Sequence, residues 1–233
     1  LLYRIALKHI DMRKHEGEYP RVGAVDVFPF VPLREVGMAE AVAVSREFAE
    51  RVAAEFKLPV YLFAESATKP HRRNVDDIRE GEYEGFEEKM KSPEWKPDYG
   101  PDAFPPDSGA TIIGARHPLV SFRAILSTSA EPVAVALARE LEGPSGGPLF
   151  VNANPGLDPS TKRAQVTVSI TNFDRVPMYK VVEHLRMEAR RYGVTVQNVE
   201  MIGIIPESVF IESALFYMGI REFNMDRLLE RNI

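Results

Sequence analysis

A chain of 233 residues with 45% hydrophobic and 27% charged residues has the proportions of an ordinary globular protein and can bury one large core or two smaller ones. Its formal charge of −5 argues against general nucleic-acid binding, which needs a clustered basic surface, and no apolar run has the length of a bilayer span. The lack of cysteine removes disulfides, thiolate metal sites and thiol nucleophiles together, and fits a cytoplasmic protein.

"LLYRIALKHIDM" is apolar at helical spacing from its first residue and has no N-cap before it, which predicts an opening helix and a missing lead-in. An exposed apolar face on that helix, or an unpaired sheet edge, is the expected consequence. Next comes "HEGEYPRVGAVDVFPF" (His15–Phe30), where Gly17 and Pro20 exclude a helix and the tail reads as a strand. His15, Glu18, Tyr19 and Arg21 gather at that strand's mouth. A polar surface loop, with Asp26 pointing outward, and a binding site are equally compatible with them, since loops on a rigid scaffold concentrate binding groups.

Met38–Phe56 predicts a helix with Ala41, Val44, Phe48, Val52 and Phe56 on its apolar face. "LPVYLF" (58–63) follows as a buried strand, making a strand-crossover-strand unit. From Ala64 to Gly109 the periodicity weakens. "KPHRRNVDDIREGEYEGF" holds at most a short helix, and Trp95, Tyr99 and Phe104 argue for an ordered loop over a cleft.

The second half alternates more regularly. Strands are predicted in "HPLVSFRAILST", "PLFVNAN", "RAQVTVSITNF" and "VTVQNVEMIGIIP", with helices over "EPVAVALAREL" and Val176–Tyr192. That order is β-α-β-β-α-β, the ferredoxin-like split unit, and it predicts a four-stranded antiparallel sheet with two helices on one face. A helix over Glu207–Met218 follows. The fold class is α+β: two α/β subdomains, 1–115 and 116–233, with a ligand cleft between them.

Phosphate-loop and dinucleotide motifs are absent, and "GPSGGP" reads as a connecting loop. The histidines at 9, 15, 71, 117 and 184 lack metal-binding spacing, so no metal site is expected. "PHRRN" is either a solvated turn or a grip on a carboxylate through Arg72 or Arg73. "RMEARR" places cations at a helix C-terminus, where they complement its dipole.

"DMRKHEGEYPRVGAVDVFPFVPLREVGM", "LPVYLFAESA", "IREGEYEGFEEKM", "EWKPDYGP" and "SGATIIGAR" resemble the glutamate formiminotransferase family. The likeness continues more weakly through "RAQVTVSITNF" and "IGIIPESVFIESALFYM". The resemblance implies a two-subdomain transferase that moves a formimino group from N-formimino-L-glutamate to N5 of tetrahydrofolate in histidine degradation, with tetrahydrofolate as co-substrate. It implies small-molecule substrates, no nucleic acid and no membrane as partners, with a homodimer left open.

The family motif H-x-G-E-H-P-R falls on His15 to Arg21, with Tyr19 where the family carries its catalytic second histidine. An imidazole titrates near neutrality and can both take and give a proton; a phenol, with a reference pKa of about 10, donates far better than it accepts at pH 7. Tyr19 working differently, His15 substituting for it, and an altered activity are the three alternatives. The family's folate loop falls on Gly100, Pro101, Asp102, Ala103, Phe104, Pro105, Pro106, Asp107, Ser108 and Gly109, with Phe104 against the ligand's rings or in a structural core. Arg21 and Arg72 or Arg73 are assigned to substrate carboxylates on charge. Two competing functions stand beside transfer: a folate-binding homologue without efficient catalysis, and ATP-dependent cyclisation of 5-formyl-tetrahydrofolate.

Overall fold

The short apolar runs become the strands of two separate sheets. The computed structural model describes residues 1–17, 19–33, 35–142 and 150–229, and the chain divides into two units, Leu1–Arg116 and His117–Ile233.

The first unit contains α1 (Leu2–His9), β1 (Val27–Phe30), α2 (Met38–Phe56), β2 (Val60–Leu62), α3 (Val75–Arg79), α4 (Glu82–Lys91) and β3 (Thr111–Ala115). β1 and β2 are parallel, as a crossover requires, but they do not touch. β3, which the periodicity did not reveal, lies between them in the order β1-β3-β2, with Val27 opposite Ile112 and Leu62 opposite Ile113. Every residue of β3 is buried, so it reads as a short continuous apolar run rather than an alternation.

α2 packs Ala49, Val52 and Ala53 onto Val60, Leu62 and Ile113, with Tyr3, Phe28, Phe48 and Phe56 around them. The predicted apolar face needs one correction. Val44 is exposed, and Ser45 is buried instead. Ser45 Oγ hydrogen-bonds Ser66 Oγ at 2.6 Å and donates to the Val42 carbonyl, so its burial is satisfied. α1 buries Tyr3 and leaves Leu2 and Ile5 exposed.

The segment after β2 is also corrected, from at most a short helix to two helices flanked by 3-10 turns. Its apolar residues are sparse, but Ile78, Phe86 and Met90 are fully inserted against Tyr61, Phe63 and Ile112 on the sheet's other face. Asn74 caps α3 by accepting from the Asp76 N–H at 3.1 Å. Too few anchors per turn hid these helices from a periodicity reading.

The second unit contains β4 (Val120–Leu126), α5 (Glu131–Leu141), β5 (Val151–Leu157), β6 (Ala164–Ile170), α6 (Met178–Arg191), β7 (Val196–Ile202) and α7 (Glu207–Met218). The sheet is antiparallel in the order β5-β6-β4-β7, the ferredoxin-like arrangement expected from the element order. Val120, Phe122, Ala124 and Leu126 face one side with Val166, Val168 and Ile170, and are covered by Leu137, Leu141, Val181 and Leu185 of α5 and α6. The "GPSGG" loop (143–147) lies outside the described residues.

Strand alternation sends the intervening residues to the opposite side. Across the strands they form three rows: Asn152, Ser169, Ser121, Ile202; then Asn154, Thr167, Arg123, Glu200; then Gly156, Gln165, Ile125, Asn198.

The buried phenols make the fold sensitive to alkali. Burial pushes the Tyr3 pKa up to about 12 against the pull of its 2.8 Å bond to Thr111, and burial raises Tyr61 as well. The unfolded chain ionises such phenols near pH 10. Their stabilisation is therefore complete below pH 10 and is lost as pH rises through the folded-state value. Urea unfolding at pH 8, 10 and 11 should show falling stability over the last interval. Among the eight tyrosines, two should resist ionisation at 295 nm until the chain unfolds. Full tyrosinate absorbance in the still-folded protein at pH 11 would contradict this.

Candidate functional site

The polar stretch after α1 is tied down at both ends and open in its middle. Buried Met12 donates its N–H to the Asp107 carbonyl at 2.8 Å. Asp11 accepts from the Arg13 guanidinium at 2.8 Å and from its N–H, and Arg13 draws the carboxyl down to about 2. At the far end Val22 is buried, Ala24 N–H donates to the Ser108 carbonyl at 2.9 Å, and Ala110 N–H donates to the Val22 carbonyl at 3.0 Å. Gly23 and Gly109 form an antiparallel bridge. The His15 stretch and the Gly100–Gly109 loop are therefore neighbours, both entering the amino ends of the parallel strands, before β1 and β3.

Close backbone approach explains the two glycines. A Cβ on Gly23 would lie 2.0 Å from the Ala110 oxygen, and one on Gly109, at φ +69°, would lie 2.3 Å from the Val22 oxygen. Gly23→Ala should cost about 2–3 kcal/mol, as overpacking does, and should separate the two loops. Chemical denaturation together with proteolytic nicking near 15–21 would report it; wild-type stability would disprove the clash.

Arg21 clasps the loop from inside. Its Nη2 donates to the His15 carbonyl at 3.0 Å and to Glu84 Oε1 at 2.7 Å, while Nη1 reaches Glu82 Oε2 at 3.1 Å. Glu84 raises the Arg21 pKa, and Arg21 lowers that of Glu84. Glu16, Gly17, Arg21, Gly81, Glu82 and Glu84 line an open recess here. Glu82 and Glu84 were not anticipated, because partners 61 and 63 residues away leave no local signal. Asp26 does not simply face outward: it accepts from the Val22 N–H and pairs with Arg79.

His15 and Tyr19 stand apart from this network. Both are exposed, Tyr19 at 77%, and neither side chain forms a hydrogen bond or ion pair among the described residues. Glu18 lies outside the described residues. On the neighbouring loop, Phe104 packs on the rings of Tyr83 and Phe86 at 5.4 and 6.1 Å, and the Tyr83 hydroxyl donates to the Pro106 carbonyl. Lys96 pairs with Asp102 at 3.2 Å. The loop is thus held from α4, with Phe104 in aromatic packing.

The basic patch splits in two. Arg73 is exposed. Arg72 is 0% exposed and donates to Asp98 at 2.7 Å and to the carbonyls of Glu94 and Lys96 at 2.8 and 2.6 Å. Its guanidinium lies over Tyr61 and Trp95. Arg72 is spent on the fold rather than presented to a ligand. Among the described residues no cluster of three or more metal-ligating side chains occurs, and no helix is long and apolar enough to cross a membrane.

Residues 2–116 match the N-terminal subdomain of the formiminotransferase domain family, and residues 157–230 match the formiminotransferase domain family. The chain is 38% identical over 231 residues to a glutamate formimidoyltransferase of Streptococcus pyogenes serotype M1, covering 99% of this chain and 77% of that protein. It is 37% identical over 232 residues to a glutamate formimidoyltransferase of Thermoplasma acidophilum, with 99% and 76% covered. The rat formimidoyltransferase-cyclodeaminase is 39% identical over 219 residues, which is 92% of this chain and 40% of that protein. With both units matched in order and the alignments spanning 99% of its length, the chain belongs to the formiminotransferase family.

Proposed function

We propose that this protein transfers the formimino group from N-formimino-L-glutamate to N5 of tetrahydrofolate, a late step of histidine degradation. The observation that carries the reading is the 38% identity over 99% of the chain to a protein named for this activity. In the reaction N5 attacks the amidine carbon, an N5–C bond forms and the bond from that carbon to the glutamate nitrogen breaks. One proton leaves N5 and one reaches the departing nitrogen, so the groups that move them must be free to do so.

His15 and Tyr19 meet that condition, being exposed and uncommitted on a loop whose ends are anchored. His15 serves as the proton acceptor, and Tyr19, in the family's histidine position, donates to the leaving nitrogen. The Gly100–Gly109 loop contributes to folate binding, and Arg73 takes a substrate carboxylate. Arg21 positions the loop through the His15 carbonyl.

Assaying the chain with formiminoglutamate and tetrahydrofolate tests the reading. Stoichiometric release of glutamate with formation of 5-formimino-tetrahydrofolate is expected. Folate binding without turnover would overturn it.

A further inference from the structure

The junction between α3 and α4 runs against its own backbone preference. Gly81 has φ +86°, and Glu82, the first residue of α4, has φ +52°. Glycine adopts that left-handed region freely, but a residue with a Cβ does not. A glycine at 82 would remove the strain, so a glutamate there calls for a reason other than folding. Its charge at the helix N-terminus does not supply one, because Glu84 in the same turn already complements the dipole.

The junction is held from two sides. Lys89 Nζ donates to the carbonyls of Asp77, Ile78 and Glu80 at 2.6, 3.2 and 3.0 Å. Arg79 pairs with Asp26, which also accepts from the Val22 N–H at 2.9 Å, at the end of the His15 stretch. From this fixed base the two glutamates act on Arg21 differently. Glu84 takes both ends of the guanidinium, Nη1 at 3.3 Å and Nη2 at 2.7 Å, but its side chain is 62% exposed. Glu82 takes Nη1 from the junction itself, at 3.1 Å. The bidentate pair sets the plane of the guanidinium. The third acceptor sets its place, which leaves Nη2 3.0 Å from the His15 carbonyl.

We propose that Glu82 is a positioning residue for proton transfer, an inference that rests on the transfer reaction proposed above. Its left-handed backbone aims the carboxylate at Arg21, and Arg21 fixes the His15 carbonyl and with it the placing of His15 and Tyr19. The strain is retained because a glycine, which would relieve it, has no carboxylate to offer. The middle of a loop tied at Met12 and Val22 gains most from such a tether, since a misplacement of about 1 Å can lower turnover by about 10²-fold.

Three variants of the full chain test this. Glu82→Gly removes the carboxylate and the strain, Glu82→Ala removes the carboxylate and keeps the strain, and Glu82→Gln keeps the backbone demand and an acceptor for Nη1. Melting temperature should be at or above the parent's for Glu82→Gly and lower for Glu82→Ala than for Glu82→Gly. Turnover should nevertheless fall together in these two, by about ten- to a hundredfold in kcat, with KM and calorimetric affinity for 5-formyl-tetrahydrofolate nearly unchanged. Glu82→Gln should keep most of the parent's kcat. Amide hydrogen exchange over residues 13–21 should quicken in Glu82→Gly and Glu82→Ala and stay parent-like in Glu82→Gln. A merely structural role predicts instead that kcat follows melting temperature across the series, and that result would overturn the inference. Parent-like kcat or parent-like exchange in Glu82→Gly would overturn it too and leave the transfer reaction standing. A parent protein that never turns over would overturn both.

Discussion

Tyr19→Phe should lower turnover by about 10²–10⁴-fold, the range of a general acid, and leave folate affinity and melting temperature essentially unchanged. The expectation is sharp because the phenol contributes nothing to the fold. Tyr19 is largely exposed, and its hydroxyl has no hydrogen bond among the described residues, so its deletion strands no partner. A fall in kcat therefore reports on chemistry. His15→Ala is the companion measurement, and it leaves the Arg21 clasp intact because that bond uses the His15 backbone carbonyl. If His15 carries both proton transfers, its variant shows the larger loss and Tyr19→Phe little. If the two divide the work, both fall. Tyr19→His restores the residue type of the family motif and should keep or raise turnover under either scheme. Unchanged turnover in both Tyr19→Phe and His15→Ala would place the acid and base elsewhere.

The second unit was readable from sequence because its central strands and its two packed helices each have one clear period. β4 and β6 alternate buried and part-exposed residues along their whole length, and α5 and α7 begin and end where the apolar pattern does. The first unit was harder for physical reasons that can be named. β3 is buried on all sides, so it shows no alternation, and its placement between β1 and β2 comes from pairing across distant segments. α3 and α4 are anchored by single residues, Ile78, Phe86 and Met90. The neighbouring positions of the His15 stretch and the Gly100–Gly109 loop rest on backbone bonds such as Met12 to Asp107 and Ala24 to Ser108. Backbone pairing of that kind carries no residue-type signature. Charge alone was the least reliable guide: it ranked Arg21, Arg72 and Arg73 together, whereas the structure binds the first to two glutamates, buries the second and exposes the third.

Arg72 is where that difference has its largest measurable consequence. Replacing it with methionine should destabilise the protein by about 3–5 kcal/mol, the cost of removing one partner from a buried ion pair. The variant removes the Arg72 donor from the Lys96 carbonyl and leaves the Glu94 carbonyl to the Lys69 ammonium alone. It also leaves Asp98 with only the Leu62 N–H and the Thr68 hydroxyl. Because Arg72 links the Glu94 carbonyl of the 3-10 turn at Pro93–Trp95 to Asp98, which holds the Leu62 N–H of strand β2, the damage should spread to the covering of the sheet by α3 and α4. Arg72→Lys separates this structural role from ligand binding. It preserves the charge that a carboxylate ligand would sense, but it loses the planar fork that reaches Asp98 and both carbonyls at once. Urea unfolding should therefore show a large loss for Arg72→Lys as well, while the fraction that remains folded binds formiminoglutamate and folate as the parent does. Wild-type stability with weakened binding of either substrate would return Arg72 to the site and show that its buried contacts are dispensable.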